Sequence, residues 1–239
     1  MEEKSKKIFS ASILALGIAL GGYFPGYWYY KTHVDFRSVI VKGLAEKDVV
    51  ADLGIWNLQF TVSGNDLSAL QKQLNLQTDI VLNFLQKQGF TETEINIGRI
   101  DTNDLMANPY RDANVVETSR FILTQNLTVR SSQVEKISSA VTDSNSLIGD
   151  GIVINSQSTA YFFTKLNEIK PQMLKEATEN AKSAALEFAQ NSDSKVGKIK
   201  NANQGVFSIL ARDDSSAYEP SQINKKVRVV STVEYLLED

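Results

Sequence analysis

The segment from Val49 to Gln88 decides the fold, and it reads VVADLGIWNLQFTVSGNDLSALQKQLNLQTDIVLNFLQKQ. In its first part apolar and polar residues alternate, with Trp56, Leu58, Phe60 and Val62 on one side and Asn57, Gln59, Thr61 and Ser63 on the other. A period of two residues is typical of a strand that lays one face on a core and the other in water. The pattern predicts an antiparallel sheet whose apolar face needs a cover.

The second part of the segment predicts the helix that supplies this cover. Apolar residues recur there at helical spacing, namely Leu67, Leu70, Leu74, Val81, Phe84 and Leu85. Asp66 is a favourable N-cap residue, and Gly89 is a favourable C-terminal stop. We therefore expect an amphipathic helix from Asp66 to Gln88.

Towards the N-terminus, the sequence predicts a strand hairpin. Ser38 to Leu44 and Val49 to Val62 both have strand character, and the polar stretch Ala45 to Asp48 lies between them. Two strands separated by a short polar turn usually pair with each other.

Towards the C-terminus, strand and helix patterns continue to alternate. A short helix is expected to begin at Ser132 to Glu135, whose serine and glutamate match a capping box, with Val134, Ile137 and Val141 on its inner face. A longer one is expected from Ile169 to Gln190, with Pro171 in its first turn. Its inner stripe comprises Leu174, Ala177, Ala181, Ala184, Ala185 and Phe188. The predicted strands are Glu94 to Asp101, Glu117 to Arg130, Gly151 to Gln157, one or two within Ser194 to Leu210, and a last strand containing Val227, Val229, Val233 and Tyr235.

This element order predicts an α+β fold in which antiparallel sheets are covered by amphipathic helices. Two interlocked sheet-plus-helix halves are suggested, although no exact repeat supports a duplication. An acidic loop from Arg212 to Asn224 precedes the last strand.

The N-terminal segment has the order of a secretion signal or signal-anchor. Lysines 4, 6 and 7 precede an apolar run from Ile8 to Phe24, and aromatic residues cluster from Tyr23 to Tyr30. A helix of about 20 residues spans roughly 30 Å of hydrocarbon, and aromatic rings favour the membrane interface. We expect residues 1–30 to be a transmembrane anchor, residues 31–37 a spacer and residues 38–239 the folded domain. Cleavage near Ala19 to Gly21 remains the alternative.

These two outcomes predict different locations. An uncleaved anchor would hold the protein at the inner membrane with its C-terminal domain in the periplasm. Cleavage would leave a soluble periplasmic protein.

Composition excludes several classes of function. The chain has no cysteine, which removes disulfides, thiol nucleophiles and thiolate metal ligands. Lys and Arg number 25 against 28 Asp and Glu, so the net charge is −3, and no dense basic run lies outside the N-terminus. Nucleic acid is therefore not an expected partner.

Candidates for catalysis are few. His33 is the only histidine, so a histidine metal site or a Ser-His-Asp relay is not available within the domain. The remaining acid-base candidates are Asp101 with Asp104 and Asp213 with Asp214, and acids of this kind are usually solvated. Neither a P-loop, a GxGxxG loop nor a GxSxG elbow is present. The sequence assigns no catalytic, cofactor-binding or metal-binding residue.

Five local strings, in their order along the chain, resemble the SIMPL domain family, which includes bacterial oxidative-stress defence proteins and periplasmic immunogenic proteins. They are VKGLAE at residues 41–46 with ADL following at 51–53, LNEIKP at 166–171, EATENAK at 176–182, KVGKI at 195–199 and KVRV at 226–229. The resemblance covers Val39 to Leu237. It implies an exported or membrane-anchored α+β protein linked to envelope stress, with ring-like homo-oligomers in some members, and it supplies no catalytic residues.

Three hypotheses follow from the residues and the resemblance. The first is a non-enzymatic envelope protein, without a cofactor, that self-assembles into homo-oligomers and supports envelope or oxidative-stress tolerance. The second is a periplasmic binding module for a small molecule or an envelope protein partner, which requires a pocket with convergent polar groups. The third is an enzyme that uses the loop acids, and it requires Asp101 and Asp104 to lie together in a cleft.

Overall fold

The structure, a computed structural model, describes residues 2–33, 37–107, 119–213 and 218–238. Its N-terminal segment forms one helix, α1 (Glu2–His33), with Pro25 inside it. Within α1 the side chains are described at Ser12 and from Ala15 to Tyr29, so part of the expected apolar run lies outside the described side chains. In the described part of the chain, no helix combines the length and the apolar character needed to cross a membrane.

The remaining elements alternate between strand and helix, which confirms the α+β class. They are β1 (Ser38–Val50), β2 (Leu53–Gly64), α2 (Leu67–Lys87), β3 (Ile95–Asp104), β4 (Phe121–Ser131), α3 (Val134–Asp143), α4 (Ser146–Gly149), β5 (Val153–Phe162), α5 (Leu166–Asn191), β6 (Lys195–Gln204), β7 (Ser208–Ala211) and β8 (Asn224–Glu238). Short 3₁₀ turns occur at Glu92–Glu94, Leu105–Ala107 and Glu219–Ser221.

The chain divides into two compact units. The first unit comprises Met1–Ala45, Gln172–Val206 and Val229–Asp239, and the second comprises Glu46–Pro171 and Phe207–Arg228. The strands β1 and β8 and the helix α5 each pass from one unit to the other.

The second unit is built on an antiparallel sheet of order β3-β4-β2-β5. Trp56, Leu58 and Phe60 of β2 are fully buried, as the alternating pattern predicts. Burying a large apolar side chain stabilises a fold by roughly 1.5–3 kcal/mol, so this row is a major part of the core. The core also contains residues of α2 and α3, including Leu74, Val81, Leu85, Ile137 and Ala140.

Helix α2 confirms the predicted cover and both of its ends. The carboxylate of Asp66 accepts hydrogen bonds from the backbone N–H groups of Ser68 and Ala69 at 2.9 and 3.1 Å. Gly89 follows the helix with a φ of +83°, a conformation that favours glycine. The cap and the stop are therefore used as the sequence indicates.

The first unit contains β6, the C-terminal part of β8 and the N-terminal part of β1, with α5 as its long helix. The buried face of α5 is a row of mostly small residues four apart, Met173, Ala177, Ala181, Ala185 and Ala189. Ala177, Ala181 and Ala185 were expected there, but Phe188 is 58% exposed, so its assignment to the stripe is wrong. The buried row continues from Ala185 to Ala189, and Phe188 lies beside that row rather than on it.

The predicted hairpin does not form. Strand β1 runs without a break through Ala45 to Asp48 and pairs with β8, whereas β2 pairs with β4 and β5. The polar residues Glu46 and Asp48 occupy exposed alternate positions of a continuing strand, so they do not mark a turn. The chain turns instead at Ala51 and Asp52, where the N–H of Ala51 donates to the carbonyl of Ile223 at 2.9 Å.

The predicted cap of one helix and the predicted start of another are also wrong. The N-cap of α3 is Gln133 and makes no side-chain cap, so the box expected at Ser132 to Glu135 is absent. The hydroxyl of Ser131 accepts from the N–H of Gln133 at 3.1 Å instead. Helix α5 begins at Leu166, so Pro171 lies beyond the first turn, and the boundary between the two units follows it directly.

Lys136 of α3 ties the helix to the segment that follows α2. Its ammonium donates to the carbonyl of Gly89 at 2.8 Å and lies 4.7 Å from the centre of the Phe90 ring. The carboxylate of Glu94 is 3.9 Å away. These contacts place one cation among a carbonyl, an aromatic face and a carboxylate.

This cluster gives a prediction for acid stability. Burial raises the pKa of Glu94, but hydrogen bonds from Ser131 and Thr91 and the charge of Lys136 outweigh it, so the pKa lies below its ordinary value of 4.5. A lowered folded-state pKa adds stability above the ordinary value, and that stability is lost as the pH falls through the lowered value. We expect Glu94→Gln to make the free energy of unfolding less dependent on pH below 4.5. Urea unfolding at a series of pH values measures this.

Glu92→Gln is the matched control because Glu92 is an exposed glutamate on the same turn. Equal pH dependence in the two variants would contradict the role given to Glu94.

Candidate functional site

A polar cavity of about 430 Å³ lies within the second unit. We call it the hydroxyl cavity, and its lining comprises Ser138, Val141, Thr142, Thr159, Tyr161, Ser221, Gln222, Ile223 and Asn224. These residues come from α3, from β5 and from the segment that leads into β8. Its volume falls in the range of about 300–1,000 Å³ that is usual for ligand pockets.

Local packing positions each wall. Thr159 and Tyr161 are two residues apart on β5, so their side chains project from the same face of the sheet. They lie opposite Trp56 and Gly54 of β2. A Cβ atom at Gly54 would lie 2.7 Å from Cδ1 of Ile137 and 3.3 Å from Cδ1 of Tyr161. Glycine at this position therefore lets the Tyr161 ring and α3 approach the sheet together.

Backbone hydrogen bonds hold the third wall. The carbonyl of Ile223 accepts from Ala51, and the carbonyl of Asn224 accepts from Arg212 at 3.2 Å. The hydroxyl of Ser221 donates to the carbonyl of Tyr218 at 2.8 Å. The wall is thus fixed through its main chain.

Some polar side chains of the cavity have no hydrogen-bond partner within the protein. Within residues 37–107, 119–213 and 218–238, the side chains of Ser138, Thr159, Tyr161 and Asn224 have no hydrogen-bond partner. Tyr161 is the most buried residue of the four, at 5% exposed, but its hydroxyl is not among the buried polar atoms that lack a partner, so it reaches solvent. The arrangement can therefore offer several hydrogen bonds to a bound molecule.

A second, larger groove of about 700 Å³ has a different chemistry. Its lining includes Lys87, Asp143 and Asp150 together with Ile80, Asn83, Phe84, Gln88 and Ser146. The amide of Gln88 donates to the Asp143 carboxylate at 3.1 Å, and the hydroxyl of Ser146 donates to the Asp143 carbonyl at 2.8 Å. Several of its polar groups are thus already paired with each other.

The acids Asp101 and Asp104 do not form a catalytic pair. They lie three residues apart on β3, opposite Thr124 and Phe121, so their side chains project from opposite faces. Asp101 is 2.9 Å from Arg99 and accepts from the amide of Asn126. Arg120 donates to Asp104 at 2.8 Å. Each carboxylate has its own partners, and the cleft that the enzyme hypothesis requires is not formed by this pair.

Of the other candidates, Asp213 is the one whose side chain the structure describes. Asp213 is bound by the guanidinium of Arg212, whose hydrogen bonds hold the pKa of Asp213 below its ordinary value. Asp214 lies outside the described residues, as does the side chain of His33. In the described part of the chain, no group of three or more His, Cys, Asp or Glu residues could hold a metal ion.

The SIMPL family model, described as a protein of unknown function (DUF541), matches residues 39–235. The chain belongs to the SIMPL domain family. No curated protein matches the chain. The family resemblance seen in the sequence is confirmed, and the description of the family assigns no activity.

The hydroxyl cavity of this SIMPL domain was missed by sequence reasoning. Its residues come from three stretches of chain between Ser138 and Asn224, and each stretch alone reads as an ordinary polar helix face, strand or loop. Hydroxyl residues are common on exposed surfaces, so their type gives no signal. Only the folded chain brings them together around Tyr161.

Proposed function

We propose that this SIMPL-domain protein is a non-enzymatic, exported scaffold that self-assembles into homo-oligomers and supports envelope or oxidative-stress tolerance. The observation that carries the assembly part is the open edge of β1. Within the described residues β1 has β8 as its only strand partner. On its other edge the Leu44 carbonyl accepts from the amide of Asn180 at 2.7 Å, and the remaining backbone groups have no strand partner. Such an edge can pair with the edge of a second copy.

The side chains of β1 favour this use of the edge. Alternate residues from Ser38 to Leu44 are exposed, and Ile40 and Leu44 among them are 67% and 38% exposed. Natural edge strands are usually protected by charges, prolines or bulges. In this stretch of β1, Lys42 is the one charged residue on the exposed face, which is limited protection.

Assembly through β1 predicts a pattern of cross-links. The chain has no cysteine, so single substitutions at Ser38, Ile40, Lys42 and Leu44 introduce one thiol each. If two copies pair antiparallel about a two-fold axis, the residue nearest the axis lies beside the same residue of the second copy. Two cysteines at that position can therefore come close enough to form a disulfide. We expect mild oxidation of the full chain to yield covalent dimers at one or two adjacent positions and few at the others.

Glu176→Cys on the exposed surface of α5 is the control for random collision. Equal cross-linking at all positions, or a full chain that remains monomeric by light scattering in detergent at every concentration, would refute assembly through β1. Ile40→Lys should lower the measured mass if the edge is the interface.

The export and attachment part of the proposal is supported by α1. Its side chains Leu16, Ile18, Tyr23 and Phe24 are 58–70% exposed, and apolar groups of this kind favour an apolar environment. We propose that the segment directs export and holds the protein at the inner membrane with its domain in the periplasm, or is cleaved to release it. Fractionation of cells and N-terminal sequencing of the recovered protein distinguish these outcomes.

A stress role would be indirect. Three methionines and no cysteine give the chain little capacity to consume oxidants itself. Cells that lack the protein should tolerate peroxide less well, and the wild-type chain should restore tolerance better than Ile40→Lys does.

A second candidate function is a binding module for a small molecule. The observation that favours it is the hydroxyl cavity, whose unpartnered polar groups meet the requirement for convergent hydrogen bonding.

A further inference from the structure

We infer that the hydroxyl cavity binds a neutral, polyhydroxylated molecule the size of one or two sugar rings. The inference rests on the binding-module candidate and does not require assembly. It is carried by three features of the cavity, namely the absence of charged lining residues, the unpartnered Tyr161 hydroxyl and the mixed polar and apolar walls.

The lining of the cavity carries no charge, which disfavours ionic ligands. Each of its lining residues is uncharged, although 22% of the chain is Asp, Glu, Lys or Arg. An ion entering it would lose water without gaining an opposite charge, which is unfavourable. The groove lined by Lys87, Asp143 and Asp150 shows that the same unit also contains a charged depression. The hydroxyl cavity therefore suits a neutral molecule.

The unpartnered groups define what that molecule must offer. The hydroxyls of Ser138, Thr159 and Tyr161 can each donate and accept a hydrogen bond, and so can the amide of Asn224. Each hydroxyl of a sugar or polyol also does both. A polyol can thus satisfy several of these groups together, including the hydroxyl of Tyr161, which reaches solvent and has no partner within the described residues.

The apolar part of the lining fits the same class. Val141, Ile223 and the ring of Tyr161 contribute apolar surface among the hydroxyls. A sugar ring has polar hydroxyls at its rim and apolar C–H groups on its faces. Pockets that combine apolar walls with a few placed polar groups fix both features of such a ligand.

A charge series tests the ligand class. The full chain is titrated by calorimetry with glucose and myo-inositol, and with glucosamine and glucuronate as the cationic and anionic counterparts of glucose. We expect dissociation constants of about 0.1–10 mM for at least one neutral compound, with at least about tenfold weaker binding of both charged sugars. No binding of either neutral compound, or equal binding of a charged sugar, overturns the inference.

Two substitutions test the site. Tyr161→Phe removes one oxygen and should weaken binding of the neutral compound about tenfold or more. Thr159→Val, nearly the same size, should also weaken it. Tyr235→Phe is the matched control, because Tyr235 is a 4% exposed tyrosine of the first unit, outside the cavity. Thermal unfolding verifies that each variant is folded.

If Tyr161→Phe and Thr159→Val both bind as well as Tyr235→Phe does, the cavity is not the site and the inference fails. Ile40→Lys should bind normally, since β1 assembly is not involved. Binding that is retained while β1 cross-links are absent removes the assembly proposal alone. Cross-links without binding remove the ligand inference alone.

Discussion

Gly43→Ala is expected to lower the free energy of unfolding by about 3 kcal/mol, the upper end of the range for overpacking a core. A Cβ atom at this position of β1 would lie 1.8 Å from the carbonyl oxygen of Ala177 and 2.4 Å from the nitrogen of Ala181. Both are backbone atoms of α5 and cannot rotate away as a side chain can. The strand and helix would have to separate, which opens the contact made by the small residues of α5.

Urea unfolding of the full chain measures this loss. Gly149→Ala is the matched control, because a Cβ atom there meets no heavy atom within 4 Å and the expected change is about 0.5 kcal/mol or less. A second variant shows whether the clash is with the backbone of α5 or with the Ala181 side chain. Ala181→Gly removes the Cβ atom that is 2.9 Å from the new methyl group but leaves the closer backbone atoms. Rescue of Gly43→Ala by Ala181→Gly would contradict the backbone explanation.

Glu219→Ala is also expected to lower the free energy of unfolding by about 3 kcal/mol, because it leaves a buried charge without its partner. The side chain of its partner Lys225 is completely buried, and its ammonium contacts the Glu219 carboxylate and donates to the Glu219 carbonyl at 2.9 Å. Removing the carboxylate leaves a buried cation with a carbonyl partner alone. Because the Glu219 side chain is 29% exposed, water screens the pair in part, and the low end of the usual range of about 3–5 kcal/mol applies.

A double variant distinguishes the buried charge from lost packing. Lys225→Met combined with Glu219→Leu removes both charges and keeps similar volume, and such replacements are often neutral. We expect the double variant to be more stable than Glu219→Ala by denaturant unfolding. A double variant no more stable than Glu219→Ala would show that shape, rather than the unpaired ammonium, accounts for the loss.

Local patterns within one strand or one helix were the most reliable predictors. The alternation around Trp56, Leu58 and Phe60 and the cap at Asp66 are confirmed, because each reports a property that one element has by itself. Predictions failed where one sequence pattern is compatible with more than one local structure. Glu46 and Asp48 suit a turn and also suit the exposed face of a longer strand, and the choice was made by pairing of β1 with β8.

The helix assignments show the same limit. The stripe of α5 was placed correctly at Ala177, Ala181 and Ala185, but Phe188 was assigned by its apolar character and is exposed. Side-chain type gives a preference for burial, whereas the facing backbone sets which residues fit. At Gly43 the α5 backbone approaches too closely for any side chain on β1, and that approach selects alanines on the helix.

The sequence by itself determined the α+β class, most element positions and the lack of cysteine and multiple histidines, because periodicity, caps and composition are local properties. Five local strings carried the resemblance to the SIMPL family, which the family model confirms. Tertiary structure decided strand pairing, the extension of β3 as far as Asp104 beside β4, and the buried pair of Lys225 and Glu219. It also assembled the hydroxyl cavity around Tyr161. These features depend on contacts between residues distant in sequence, and such contacts exist only after the sheet and its helices have packed.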